Sequence, residues 1–420
     1  MDPMDPEITE LLPEVVGIRQ HLHMYPEVSG KEYQTAHYLQ GCLHKIGIPA
    51  KIVARTGVVS LLEVNPLYPT AALRAEIDAL PIPEKTGVPY QSRNAGVMHA
   101  CGHDGIAATA LGLAQLLKRH ADQLKCNVKF LFEPSEEIGR GAKSMLAAHA
   151  MENPKVDRIL VFHYTNSEPL GMEIQRGIST AMVGRLEISI QGKAAHWCSR
   201  EAGIDAISAS ERVVREVEGI NAGFVSDQPY VVGIGTIHGG IGHNIVADSV
   251  KLTGTLRAAG ADAFHKVYDC LQKRMEMVER QTHAKVTVRL ASSVPPIYNA
   301  PNLVKAGMRE GRKVFGDKCV LGNKLYLAGD NAAYYFQKAE GLRMVFFAQR
   351  QGEENFPLHN PQFNFNEAVF RPALTVLYKS QLTDDCYPDP ELKTLTFDVG
   401  FYISRDYSKR GESESSDNGW

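Results

Sequence analysis

A cysteine and a histidine stand two residues apart, at Cys101 and His103, just before a segment rich in alanine and leucine. Two such side chains can reach one site from a turn, and thiolate with imidazole suits zinc, cobalt or manganese-class ions better than magnesium. A Cys-Gly-His sequence alone is usually only a turn, so it predicts a metal site only together with further ligands. We expect Asp104 to cap the following helix; the alternative is that it orients His103.

Two adjacent glutamates, Glu136 and Glu137, follow a strand-like segment at 127–133. A hydrolase that uses metal-bound water needs one carboxylate on the metal and a second one to accept the proton of the water. Neighbouring side chains point in different directions, so this pair could divide the two tasks. Taken alone, however, two glutamates are more often a solvated charge pair.

Asp78 and His163 end two further strand-like segments, at 71–78 and 158–163. Ligands of open α/β sheets gather beyond the carboxyl ends of the strands. A histidine at a strand end is more often a hydrogen-bonded core residue. Three separate strands ending in ionisable side chains nevertheless favour one shared site over unrelated surface charges.

The elements that position these residues alternate between helical and strand-like patterns, which predicts an open α/β sheet with helices on both faces. The predicted helices are 7–24, 31–46, 103–119, 302–315 and 366–379, and the predicted strands are 58–64, 71–78, 127–133, 158–163 and 341–347.

After about residue 182 the pattern changes to the order β-α-β-β-α-β, which is typical of a ferredoxin-like unit. The first pattern returns from about residue 300. We therefore expect a discontinuous catalytic domain at 1–182 and 294–384, interrupted by a lid or dimerisation domain at 183–293. Residues 385–420 form a C-terminal extension whose end is expected to be disordered.

The composition excludes several other classes of protein. The chain has 420 residues, 44% hydrophobic and 22% charged, which suits a soluble globular protein. A net charge of −3 favours neither nucleic acid nor an anionic membrane as a partner. The acidic, proline-containing start and the lack of a bilayer-length apolar run predict a cytoplasmic location. The seven cysteines contain no CxxC pair, which argues against a disulfide framework.

From about residue 19 to 382 the chain resembles the dinuclear-metal amidohydrolases related to aminoacylase and carboxypeptidase. It is most similar to the branch that hydrolyses N-acyl amino acids, hippurate and indole-acetyl amino acids. The motifs that carry this resemblance are specific when taken together. They lie at 19–27 (RQHLHMYPE), 73–81 (LRAEIDALP), 98–104 (MHACGHD), 133–143 (EPSEE and GAK) and 358–363 (LHNPQF).

The resemblance implies two divalent metal ions, with manganese or zinc favoured over cobalt or nickel. It makes Glu136 the general base, and Asp78 a residue that buttresses a metal-binding histidine or polarises the site. The ligands that the resemblance implies, with Cys101 shared between the two ions, are Cys101, His103, Glu137, His163 and His359.

The same resemblance implies that His196 reaches the active site of a partner subunit and stabilises the oxyanion, so we expect at least a homodimer. Asn244 and Arg257 match lid positions that touch substrate, although Arg257 could equally be a surface strand arginine. His243 stands at a position that varies in the family and is expected to line the pocket. Asp330 also departs from the family pattern, since it lies where Gly-Ser-Glu-Asp-Phe is usual.

Three functions are compatible with these residues. The leading hypothesis is hydrolysis of an amide or related C–N bond, other than an internal peptide bond, in a small carboxylate-bearing or aromatic substrate. The second is hydrolytic deamination of an activated aromatic amine, which would release ammonia without a carboxylic acid. The third is a catalytically silent relative that binds a ligand or metal without turnover.

Overall fold

Apolar segments of the chain form two principal sheets in the computed structural model, which describes residues 4–322 and 327–382. The described strands are β1 (Ala50–Val53), β2 (Gly57–Leu62), β3 (Thr70–Glu76), β4 (Asn127–Glu133), β5 (Arg158–Thr165), β6 (Gly171–Gln175), β7 (Gly177–Ile178), β8 (Met182–Gln191), β9 (Ala195–His196), β10 (Tyr230–Gly239), β11 (Ile245–Val246), β12 (Ser249–Ala258), β13 (Lys285–Val294), β14 (Tyr298–Asn299), β15 (Cys319–Gly322) and β16 (Glu340–Phe347).

Helices connect and cover these strands. They are α1 (Asp5–Met24), α2 (Tyr33–Lys45), α3 (His103–Arg119), α4 (Gly141–Ala147), α5 (Ala206–Gly223), α6 (Ala261–Thr282), α7 (Pro301–Phe315), α8 (Ala333–Phe336) and α9 (Phe370–Leu382). Within the described part of the chain, no helix is long and apolar enough to cross a membrane.

The larger sheet has eight strands in the order β1-β2-β4-β3-β5-β16-β6-β15. Its centre is parallel, because β3 pairs in parallel with both β4 and β5, and β5 pairs in parallel with β16. Three neighbouring strands therefore deliver their carboxyl ends to the same edge. This mixed α/β sheet confirms the predicted fold class.

Helices cover both faces of the large sheet, so its central strands are buried on both sides. Leu73, Phe130 and Phe162 pack into the larger core under the long helices, whereas Ala72 and Leu131 belong to a smaller core on the other face. All seven residues of β3 are buried, including its charged ones. A charged side chain in such a strand must find partners within the protein.

The second sheet is antiparallel, with the order β10-β12-β8-β13. Together with α5 and α6 it has the expected β-α-β-β-α-β order, and the two helices pack on it to form a separate apolar core. It contacts the large-sheet part where Arg257 of β12 donates to the Leu327 carbonyl, at 3.0 Å. The bounds 183–293 for this unit stay a prediction, and the predicted disordered tail lies outside the described residues.

Some elements begin or end at residues other than the predicted ones. β3 ends at Glu76 rather than at Asp78, and beyond it the Ile77 N–H still donates to the Glu133 carbonyl, at 3.0 Å. Short elements such as β6, β9 and β15 have too few residues to show a periodic pattern in the sequence.

Candidate metal centre

Six ionisable side chains converge beyond the carboxyl ends of β4, β3 and β5. Each contributes to one or more sets of three possible ligand atoms that lie within 4.8 Å of one another. The three sets are Cys101, His103 and His163; Cys101, Glu137 and His359; and His103, Glu136 and Glu137. Because the sets share members, they form one continuous cluster that could hold more than one cation.

A glycine turn brings Cys101 and His103 to this cluster. Gly102 precedes α3 with φ +79°, a left-handed conformation that a side chain would disfavour. The turn leaves the Cys101 Sγ atom 3.6 Å from Nε2 of His163. The rings of His103 and His163 lie close together, with their centroids 6.0 Å apart.

Asp78 orients the His103 ring. Nδ1 of His103 lies 2.9 Å from the Asp78 carbonyl oxygen, a well-aligned hydrogen bond, and 3.2 Å from its Oδ1. Nε2 is thereby left to face the cluster. Burial alone would raise the pKa of Asp78, but the nearby His103 and the Ser29 hydroxyl, 2.7 Å away, lower it overall.

His163 is fixed in the same way by the backbone. Its Nδ1 atom lies 2.7 Å from the Tyr164 carbonyl oxygen, so this nitrogen carries the proton and Nε2 presents a lone pair. Desolvation, followed by the charge of His103, lowers the pKa of His163 to about 3. A neutral imidazole is the form that binds a metal ion.

A strained turn positions the two glutamates. Ser135 adopts φ +57° after Pro134, and its N–H donates to Oε1 of the buried Glu32, at 2.7 Å. The Glu137 N–H then donates to Oδ2 of Asp78, at 3.0 Å. Backbone strain of this kind costs about 1–3 kcal/mol and persists only where surrounding contacts enforce it.

The environments of the two glutamates separate their pKa values. Burial, followed by the negative charge of Asp330, raises the pKa of Glu136 well above its ordinary value. Burial acts in the same direction on Glu137, but its hydrogen bond to His359 and the charge of His103 lower its pKa overall. A proton-holding carboxyl next to a charged one is the arrangement that acid–base chemistry requires.

His359 reaches the cluster from the loop between β16 and α9. It has φ +67°, and its N–H donates to the Ala100 carbonyl, at 2.8 Å. Its Nε2 lies 3.5 Å from Oε1 of Glu137. Contacts with Cys101 and Glu137 raise the pKa of His359 to about 10.

The donor set fits a divalent cation. Oε1 of Glu137 and Oδ1 of Asp78 are buried without a well-aligned hydrogen bond among the described residues. Leaving such an oxygen unpaired is costly, and a cation next to Glu137 would satisfy it. Thiolate, imidazole and carboxylate together suit zinc- or manganese-class ions.

Beneath Glu136 lies a charge network around Arg74, which is completely buried. Its guanidinium donates to Glu133 at 2.7 Å and to Asn331 at 2.9 Å, and it also pairs with Glu76. Asp330 lies 3.6 Å from the same group. Burial raises the pKa of Glu76 to about 7 despite Arg74.

The role of this network was not predicted from the sequence, although a signal was present. Arg74, Glu76 and Asp78 alternate with apolar residues along one predicted strand. Side chains at every second position share one face of a strand. Three charges on one face of a buried strand therefore indicate a polar layer inside the protein.

Asp104 does neither of the things predicted for it. It makes no capping hydrogen bond to α3; instead its Oδ2 pairs with Arg19 at 3.2 Å and with His23 Nδ1 at 2.8 Å. Both partners come from α1, which packs against α3. A buried carboxylate is most strongly stabilised by a cation, and the sequence could not indicate that α1 would supply one.

Replacing Asp104 with asparagine should lower the stability of the protein by about 3–5 kcal/mol at pH 7, because Arg19 and His23 lose the buried carboxylate that they share. Each keeps one other carboxylate partner, Glu367 for Arg19 and Glu84 for His23. Burial would raise the pKa of Asp104, but the charges of Arg19 and His23 lower it overall. Its contribution is therefore present above about pH 4, the unfolded value, and is lost as the pH falls through the folded value. Urea unfolding midpoints across this pH range would measure the difference.

Asp262 offers a matched control, since it is an exposed acid in the first turn of α6. Asp262→Asn should cost no more than about 1 kcal/mol, the value of a helix-dipole contact. Equal losses in the two variants would contradict a role for the buried ion pairs of Asp104.

The predicted lid residues lie on the smaller part of the molecule. His196, His243 and Asn244 are exposed, and β9 and β11 bring them together by pairing His196 with Ile245. Nδ1 of His196 accepts a hydrogen bond from the Cys198 N–H at 3.2 Å. Arg257 is partly buried and donates to the Leu327 carbonyl at 3.0 Å, so it bridges to the large-sheet part.

The size of a cavity does not identify this site. A cavity of about 550 Å³ lies against α7 and α9, and the six clustered side chains do not line it. The cluster is distinguished by its chemistry and by the convergence of three strand ends.

The mixed sheet, the antiparallel second sheet and the clustered ligand side chains define a metal-dependent hydrolase. Residues 72–381 match the model of peptidase family M20/M25/M40, and the chain belongs to this family.

Three relatives illustrate the likeness. The N-acetyl-L-cysteine deacetylase of Bacillus subtilis is 32% identical over 379 residues, which cover 89% of this chain and 88% of that protein. The crystal structure of a candidate aminohydrolase from methicillin-resistant Staphylococcus aureus has a TM-score of 0.84 at 25% identity and covers 90% of this chain and 98% of its own. A Bacillus subtilis dinuclear metal binding peptidase from the M20 family has a TM-score of 0.78 at 27% identity, with coverage of 89% and 98%.

Proposed function

We propose that this protein hydrolyses the amide bond of a small N-acyl amino acid, or a closely related C–N bond. The observation that carries the proposal is the overlapping set of ligand atoms within 4.8 Å of one another, with the carboxyl of Glu136 among them. One of the relatives bears the name of an N-acetyl-L-cysteine deacetylase, which supports an acylated amino acid as the substrate class.

The ligands would hold two divalent cations, with manganese or zinc favoured. Such ions lower the pKa of water and polarise a carbonyl group when they are bound. Cys101 shares one ligand set with His163 and another with His359, which supports its role as the shared ligand. Asp78 would keep His103 in the orientation that exposes Nε2. The proposed holders of the metal ions are Cys101, His103, Glu137, His163 and His359.

Glu136 would act as the general base and acid. Its carboxylate would accept a proton from the attacking water, and its carboxyl would return that proton to the leaving nitrogen. The raised pKa of Glu136 supports this role, because a carboxyl that can hold a proton near neutral pH can also donate it.

We propose that His196 supplies the hydrogen bond to the developing oxyanion in a partner subunit, so that the active assembly is at least a homodimer. His196 is exposed and lies next to Asn244 in the β9–β11 pair, which supports a role at a surface that a partner subunit can contact. Asn244, His243 and Arg257 would line the substrate side of the same site.

A screen with defined metals tests the proposed reaction. The metal-loaded protein should release amino acid and carboxylic acid from members of a panel of N-acyl amino acids, peptides and aminobenzoate-type compounds. Chelation should remove this activity, and added manganese or zinc should restore it. Release of ammonia without a carboxylic acid would favour deamination instead, and ligand binding without any turnover would favour a silent relative.

A further inference from the structure

Arg343 lies on the same face of the large sheet as His163. β16 pairs in parallel with β5, with Arg343 opposite Val161 and Val345 opposite His163. Residues paired across strands share a face, and alternate residues along a strand do so as well. Arg343 therefore lies two residues before Val345, the residue opposite His163. This corresponds to a backbone separation of about 7 Å along the strand.

The burial pattern of β16 supports this placement. Leu342, Met344 and Phe346 are buried in the core under the long helices. Arg343, Val345 and Phe347 alternate with them and are only partly buried. The charged side chain therefore lies on the face opposite the helical core, where His163 is also only partly buried.

One edge of the Arg343 guanidinium is anchored. Nε donates to Oδ2 of Asp330, at 3.2 Å. Asp330 is itself held by the Ala332 N–H, at 2.9 Å, and lies 3.6 Å from Arg74. The guanidinium side chain retains 18% exposure, and no hydrogen bond to its Nη1 or Nη2 occurs among the described residues. The guanidinium, a planar fork, is thus held in one orientation. Its two terminal nitrogens keep four N–H donors for a ligand.

Nearby charges define what this fork would bind. Glu173 of β6 is opposite Val345 on the same face, but its Oε1 accepts a hydrogen bond from Gln175. Of the other arginines already described, Arg74 is engaged by buried partners through all three of its nitrogens. Arg257 donates to the Leu327 carbonyl and to the Thr255 hydroxyl, at 3.0 Å and 3.3 Å. Arg343 is consequently the guanidinium here with both terminal nitrogens available, and a planar fork matches a carboxylate in a bidentate manner.

We propose that Arg343 is the substrate-binding residue that recognises the carboxylate of the leaving amino acid, with the scissile amide held at the metal centre. This inference rests on the proposed function and makes it more specific. The substrate class is an N-acyl amino acid with a free carboxylate, and the corresponding carboxamide should be a poor substitute.

The test compares each acid from the screen with its carboxamide in the metal-loaded protein, using Arg343→Gln and Arg343→Lys. The ratio of kcat/KM for acid over carboxamide should fall about 10- to 100-fold in Arg343→Gln, which is the effect of losing a charge-assisted hydrogen bond. The loss should arise mainly in KM for the acid. Arg343→Lys should be intermediate, since it keeps the charge but not the fork.

Arg274→Gln is the matched control, because Arg274 is also a partly exposed arginine paired with one carboxylate, Glu216, but on α6. It should leave the ratio unchanged. An unchanged ratio in Arg343→Gln, or an equal fall for acid and carboxamide, would show a merely structural role and overturn the proposal.

A binding measurement separates this inference from the reaction itself. Calorimetric titration of N-acetyl-L-methionine and its carboxamide into metal-loaded Glu136→Gln protein should show preference for the acid, and adding Arg343→Gln should remove that preference. Absence of the preference in the first protein would overturn the role of Arg343. Failure of every hydrolysis assay with the preference intact would instead overturn only the proposed reaction.

Discussion

Glu136→Gln should reduce turnover by about 10²- to 10⁴-fold, the contribution of a positioned general acid–base group. Glutamine keeps the size of the side chain and can neither accept nor return the proton. Steady-state kinetics with the best substrate of the screen would measure the loss.

The metal content of Glu136→Gln distinguishes the loss of a general base from the loss of a metal ligand. Glu136 belongs to one of the three possible ligand sets, so a role as a ligand must be distinguished from a role as a base. We expect the metal content of Glu136→Gln, measured by plasma mass spectrometry, to equal that of the wild type. Glu137→Gln is the matched control, and it should lose metal because Glu137 belongs to two of the sets. Normal activity in Glu136→Gln, or loss of its metal, would contradict the assignment.

Arg74→Met should be among the most destabilising substitutions of the chain, with a loss of about 3–5 kcal/mol at pH 8. Methionine fills much of the same volume but leaves Glu76, Glu133 and Asp330 without their shared cation. Those carboxyls have little access to water, since Glu76 and Glu133 are almost completely buried. The urea midpoint for loss of the large-sheet part would measure the effect.

The pH dependence of this variant has a definite sign. Without Arg74, burial raises the folded-state pKa values of Glu76 and Glu133 further above their unfolded values. The stability that the variant keeps at low pH is therefore lost as the pH increases. The deficit of Arg74→Met should therefore shrink between pH 8 and pH 5. Arg74→Lys keeps the positive charge and should cost less at pH 8. Equal stability of Arg74→Met and the wild type would show that the network does not stabilise the fold.

Much of the metal cluster was predictable because its members follow strands closely in the sequence. Asp78 and Glu137 lie just beyond the ends of β3 and β4, and His163 lies two residues before the end of β5. Parallel neighbouring strands bring such ends to one edge. Cys101 and His103 are close in the sequence, so a single turn suffices to present both. His359 lacks such a local signal; only the resemblance to a known family pointed to it.

The alternating order of the second sheet was predictable for a similar reason. Its long strands and helices show clear periodic patterns, and β-α-β-β-α-β follows directly from reading them in sequence. The short strands at the edges of the large sheet were not predicted. Four or five residues fit several periodic patterns equally well, and contacts between distant segments decide which one forms.

Charged residues show the limit of local reasoning most clearly. The sequence places Asp104 at the start of a helix, where capping is the usual role, yet Arg19 and His23 of α1 take its carboxylate into a buried ion pair. Likewise Arg343 reads as an ordinary strand residue until the pairing of β16 with β5 places it opposite Val161, on the same face of the sheet as His163. Residue type and spacing were enough to predict a metal-dependent hydrolase and the class of fold, because those depend on neighbours along the chain. The partners of buried charges, and the placement of Arg343 on the same face as His163, depend on segments that meet only when the sheet and helices pack together.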